Sequence, residues 1–189
     1  MRRLLSGLAL ILTTLALVPG CSPQATSYVR EDVDYSFIRT VAIFPFKNLS
    51  QDVHANDRVY SIFTSQLLAR EAVEVVEYGA VLSAMAQMRL NLDSVLTPAQ
   101  VIEMGKILGV NAIFFGTVEE YGVERVSRDR TYSLTCSYSL AETETGVTIW
   151  SSQTRSQGSS VWRKIFGGGS ASLYSVSRKN VDNALETLF

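Results

Sequence analysis

The chain has 189 residues, enough for one domain with a substantial core. Its 17 Lys and Arg stand against 18 Asp and Glu, a balance that gives no reason to expect a nucleic-acid partner. Two cysteines, Cys21 and Cys136, and a single histidine, His54, exclude a disulfide framework and argue against a structural metal site; no cofactor is expected.

Arg2 and Arg3 open the chain as a basic n-region. The uncharged run Leu4–Val18 that follows is shorter than the roughly 20 apolar residues a spanning helix needs. It ends in Val18-Pro19-Gly20-Cys21-Ser22. Small residues immediately before a cysteine resemble the bacterial lipobox, in which the thiol is diacylated and the chain is then cut ahead of it. The resemblance implies a lipoprotein signal peptide over residues 1–20 and lipidation, with palmitate-type chains, at Cys21. Several acyl chains, at roughly 0.8 kcal/mol per buried methylene, anchor stably where one would be marginal. In enteric-type bacteria an Asp after the cysteine resembles an inner-membrane retention signal. Ser22 stands there, which points to the outer membrane, with the domain on its periplasmic face. Lipidation of Cys21 would leave Cys136 without an internal disulfide partner.

Residues 21–36 read as a lipidated tether: Ser22–Tyr35 is polar, holds one Pro and shows no periodicity. Fully extended, it reaches about 50 Å. The domain, 37–189, opens with Thr40–Phe46 (TVAIFPF), a buried-strand run whose Pro45 predicts an edge or a bulge. Asp57–Glu71 reads as a helix with Val59, Ile62, Phe63 and Leu67 at helical spacing. Val73–Tyr78 reads as a strand, Gly79 as a break, and Val81–Met88 as a second helix. Thr97 as cap, Pro98 and Gln100 predict a helix start with a capping box, and Gly109 its end. Ala112–Val118 is a third strand. Over Arg130–Ala141, Tyr132, Leu134, Cys136, Tyr138 and Leu140 alternate with Ser and Thr, a period of two that predicts a fourth. Glu144-Thr145-Gly146 is a turn, and Val147–Arg155 returns as a fifth strand. After a loop, Gln157–Gly169, Ser170–Leu188 reads as a terminal helix. The order β-α-β-α-α-β-β-β-α predicts an α/β fold, a single mixed β-sheet sandwiched by helices.

Chemistry is sparse. A hydrolytic triad needs a base beside a nucleophile, and His54 sits in a polar loop with no such motif near it. Glu119-Glu120 reads as a solvated strand end, and Cys136 as a small buried hydrophobe. Gly167-Gly168-Gly169-Ser170 lacks the Gly-Lys-Ser/Thr ending of a phosphate loop and reads as a hinge with Ser170 as N-cap. No catalytic residue is assigned, and the chain is expected not to be an enzyme. The segment Ser160–Phe166 sets Trp162, Ile165 and Phe166 beside Arg163 and Lys164. It either tucks Trp162 onto the sheet or offers a membrane-surface or subunit contact through Trp162, Arg163, Lys164 and Phe166.

Four segments carry a family resemblance. Val41–Ser50 (VAIFPFKNLS) resembles the opening of the CsgG, LpoB and PelC group of envelope lipoproteins, also found in the N-terminal domain of TolB. Val75-Val76-Glu77, Gly109–Val118 and Glu144–Ser151 resemble later motifs of that group, in order. The resemblance implies the TolB N-terminal-domain-like fold and a non-enzymatic binding or scaffolding role, with other envelope or secretion proteins as partners. A CsgG-like pore needs two extra membrane hairpins per subunit, for which this chain has no room. Activators of the LpoB type use a long Pro-rich linker, whereas PelC-like proteins are compact and form rings. The expectation is an outer-membrane lipoprotein acting as a homo-oligomeric accessory in secretion or cell-envelope assembly. The alternative is an LpoB-like activator of a peptidoglycan synthase (a penicillin-binding protein).

Overall fold

The computed structural model describes residues 25–126, 129–158 and 172–189. Its elements are β1 (Ala25–Val29), β2 (Thr40–Ile43), β3 (Lys47–Asn48), α1 (Ala55–Ala69), β4 (Glu74–Val75), α2 (Tyr78–Gln87), α3 (Pro98–Leu108), β5 (Ala112–Val126), β6 (Asp129–Glu142), β7 (Thr148–Gln157) and α4 (Leu173–Leu185). They build one seven-stranded mixed sheet in the order β1-β7-β6-β5-β2-β4, with β3 also paired to β5. The expected α/β sandwich and its element order hold, with β1 and β3 added. Among the described residues no helix is long and apolar enough to cross a membrane.

Period-two alternation sorts β2 onto two cores. Val41 and Ile43 face α1 and α4, packing with Phe63, Leu67, Val181 and Leu185. Ala42 and Phe44 face α2 and α3, packing with Val81, Met85, Val101 and Met104. The first core continues across β6, where Leu134, Cys136, Tyr138 and Leu140 are all buried. Phe46 sits edge-on to Tyr60 (5.4 Å), Phe63 (5.4 Å) and Tyr138 (6.0 Å), pairs each worth about 0.5–1.5 kcal/mol beyond their buried area. Gly116 makes room for that ring: a Cβ there would lie 2.7 Å from Phe46.

Caps set the helix ends where local chemistry is strong. Thr97 and Gln100 close the capping box on α3, and Gly109 ends the helix in the left-handed region (φ 66°). The N-cap of α4 is Ser172, which accepts from Ser175 N–H; Ser170, expected in that role, lies outside the described residues. The expected strand over Val73–Tyr78 shrinks to Glu74–Val75, and α2 starts at Tyr78. Gly79 therefore lies in the first turn of α2 rather than breaking the chain, because first-turn amides have no intrahelical acceptor in any case.

Two strand expectations change, and one holds. Residues 25–29, expected within the tether, form β1, antiparallel to β7 from Ala25↔Thr154 to Val29↔Trp150. Thr26, Tyr28 and Val29 suit extended backbone, and pairing them covers β7, which would otherwise be a long bare edge. The Tyr35 hydroxyl then donates to Ile149 O at 2.6 Å and pins the following turn. Pro45 does mark a bulge, where residues 44–46 stand against only residues 115–116 of β5. It interrupts one path along β5, which β2 leaves at Ile43 and β3 resumes at Lys47. Finally, β5 does not stop at Val118 but runs to Val126 through a register shift between Val118 and Glu120.

The terminal helix is held by a buried polar seam. Asn180 Oδ1 accepts from the Tyr138 hydroxyl (2.9 Å) and Thr154 Oγ1 (2.8 Å), while its Nδ2 donates to Leu134 O (3.2 Å) and Thr154 O (2.9 Å). Burial pushes the Tyr138 phenol well above its usual range, keeping it a donor.

Candidate functional site

Cys21, Trp162, Arg163, Lys164 and Phe166 lie outside the described residues. His54 stands at the N-cap of α1 with an exposed ring, and its Nδ1 is 4.0 Å from an Asp57 carboxylate oxygen. No serine or cysteine nucleophile joins that pair by any hydrogen bond found among the described residues. Cys136 is fully buried on the α4 side of β6, and burial pushes its thiol up to about 12, far from a reactive thiolate. Among the described residues no group of His, Cys, Asp or Glu is placed to hold a metal ion.

The residues that carry the family resemblance work as structural punctuation. Asn48 Oδ1 accepts from Ser50 N–H (3.0 Å), and its Nδ2 donates to Asp52 O (2.8 Å), closing the loop that leads into α1. Asn111 Oδ1 accepts from the amides of Arg39 and Thr40, tying the start of β2 to that of β5. Trp150 Nε1 donates to Thr187 Oγ1 at 3.0 Å and locks the C-terminus onto β7.

The surface with room for a partner is the sheet face opposite α4. Helices α2 and α3 cover only its β2–β5 end. Across β5, β6 and β7 the uncovered positions are polar, and they pair with one another. Glu119 accepts from Ser137 Oγ and from Gln153 Nε2. Glu120 accepts from Thr135 Oγ1 and lies 3.5 Å from Arg155. Glu124 accepts from Arg155 (2.9 Å) and Gln157 (3.0 Å). The register shift explains the doubled glutamate: Glu119 is the extra residue of a β-bulge, so consecutive carboxylates share one face. A shallow cavity of about 350 Å³ opens beside the bulge, between Leu49 and Val123.

The second exposed feature is the edge of β1, which the sequence reading missed. Arg30 N–H donates to Ile149 O at 3.0 Å, so by the antiparallel alternation Thr26 and Tyr28 bond β7, while Ala25, Ser27 and Val29 turn their backbone groups outward. Tyr28 (54 % exposed) and Val29 (39 %) flank that edge. The available signal was three strand-favouring residues in Ala25–Val29; without apolar alternation it stays below the threshold of pattern reading.

A family model described as peptidoglycan-synthase activator LpoB matches residues 22–155. A PelC dodecamer from Paraburkholderia phytofirmans is 15% identical with a TM-score of 0.58, covering 88% of this chain and 97% of that one. A lipoprotein from Neisseria meningitidis is 19% identical with a TM-score of 0.57, covering 79% and 99%. The LpoB C-terminal domain from Salmonella enterica is 15% identical with a TM-score of 0.50, covering 67% and 86%. At these identities the structural likeness speaks for the fold alone. Comparison with curated protein sequences finds no match.

Proposed function

The chain belongs to the LpoB family of envelope lipoproteins, and from that premise we propose that it is a non-enzymatic accessory held against the outer membrane by lipid on Cys21, assembling side by side with copies of itself in envelope assembly or secretion. The observation that carries this reading is the position of β1. Only Ser22, Pro23 and Gln24 separate Cys21 from a strand already paired into the sheet. Four Cα steps span at most about 14 Å, against the roughly 50 Å expected of a tether reaching Tyr35. A domain so close to its anchor meets partners at the bilayer surface. The outward backbone groups of Ala25, Ser27 and Val29 offer those partners a strand edge. PelC, which shares the fold, is a dodecamer.

A second reading, activation of a peptidoglycan synthase, is favoured by the family match itself. It requires the synthase to bring its docking surface to the membrane, since this domain lacks the reach to travel to it. The test combines three measurements. Labelled palmitate is expected to enter the wild-type chain, and Cys21→Ser is expected to leave the membrane fraction. Ser27→Cys is expected to give a ladder of cross-linked multimers in native membranes. Retention of Cys21→Ser in the membrane would refute the anchor. Monomers alone in the membrane, together with stimulation of a purified penicillin-binding protein, would replace the first reading by the second.

A further inference from the structure

A groove lies away from both surfaces described above. The chain leaves β2 toward α1 on one face of the sheet and leaves β4 toward α2 on the other. β2 and β4 are parallel neighbours, so their C-terminal ends open a crevice between diverging connections, the place where open α/β sheets bind their ligands. This crevice, about 330 Å³, lies between Pro45, Asp57 and Tyr60 on one side and Tyr78 and Leu92 on the other. A second cavity of about 360 Å³ shares Pro45 and Leu92 and continues over Phe115 beneath Val95. The two form one groove with a polar-aromatic lobe and an apolar lobe.

The walls select the occupant. The β2–α1 connection, residues 44–54, contains no glycine, so it does not form a glycine-rich phosphate loop. Tyr60 and Tyr78 lie 5.1 Å apart, centroid to centroid, tilted by 60°, with Tyr78 42 % exposed beside the exposed carboxylate of Asp57. Aromatic rings beside a carboxylate form a receptor for a cation. In the other lobe, Leu92 (56 %) and Val95 (81 %) hold large apolar side chains in water. Charge points the same way. The open-face glutamates are satisfied by Arg155, Gln153 and Gln157, whereas Asp57 and Asp93 on the groove have no Lys or Arg partner among the described residues. Lys47 is the one cation on the described walls.

We propose that this groove docks an exposed segment of a partner protein that presents an Arg or Lys to Tyr60, Tyr78 and Asp57 and an aliphatic or aromatic side chain to Leu92, Val95 and Phe115. The inference stands apart from the lipid anchor and from assembly through β1. It names a third surface, for a protein other than a second copy.

A displayed library of random decapeptides, selected on the full chain in detergent micelles, tests it. Selected peptides are expected to share one cation and one large apolar residue at fixed spacing. Asp57→Lys is expected to weaken them by at least about tenfold and to shift a repeat selection toward acidic peptides. Val95→Asp is expected to abolish binding, while Lys179→Glu on the exposed side of α4 leaves it unchanged. Asp57, Val95 and Lys179 are all solvent-facing, so folding is not at stake. Peptides that are acidic or share no pattern would overturn the proposal. So would binding indifferent to Asp57→Lys and Val95→Asp, or loss of self-association on those two substitutions.

Discussion

Asn180→Leu removes the centre of the seam that holds α4 to the sheet. Leu keeps the branched shape of Asn with bulkier methyl groups, so the main cost comes from the hydrogen bonds, with some overpacking added. The change orphans the Tyr138 hydroxyl and Thr154 Oγ1, both in fully or nearly fully buried side chains, and strips one donor each from Leu134 O and Thr154 O. An unsatisfied buried polar group costs about 1–3 kcal/mol, so the two hydroxyls together cost about 2–6 kcal/mol. That is a large share of the ~5–15 kcal/mol available to a domain. Urea unfolding followed by circular dichroism is expected to show a lower midpoint at unchanged slope. For a chain of this size the melting temperature falls by roughly 2–4 °C per kcal/mol. The decisive comparison is the triple variant Asn180→Leu, Tyr138→Phe, Thr154→Val. Replacing all partners by apolar groups of similar shape is close to neutral, so the triple variant is expected to recover most of the loss. A single substitution costing under about 1 kcal/mol, or a triple variant less stable than the single, would refute the reasoning.

Gly116→Ala is expected to destabilise the fold by about 1–3 kcal/mol, because its Cβ would sit 2.7 Å from the Phe46 ring; Phe46→Leu in the same chain is expected to recover part of that loss in the same unfolding assay. On a Cys21→Ser background the only thiol is Cys136, whose burial holds its proton on until about pH 12. Its pKa is raised, so at pH 8 a thiolate reagent is expected to react only as the chain unfolds, and prompt stoichiometric labelling of the native protein would contradict the buried placement.

Strong local chemistry made much of this fold legible. The Thr97–Gln100 box, Gly109, and the alternation over Tyr132–Leu140 each commit the backbone through neighbours a few residues away. The two candidate surfaces were not readable. Glu119-Glu120 reads in sequence as a solvated strand end, and only the bulge against β6 shows two consecutive carboxylates on one face, each met by side chains from other strands. The groove needs Tyr60, Tyr78 and Leu92 from three separate segments, joined at the mouth of β2 and β4.

Residue order alone therefore determined the strands with one buried face, the well-capped helices, and the small-residue run before Cys21, because each is written in local spacing and side-chain type. Tertiary structure decided that residues 25–29 join the sheet. Ala25–Val29 has no apolar stripe of its own, and it is a strand only because β7, more than a hundred residues later, presents an unpaired edge whose backbone groups are best satisfied by pairing.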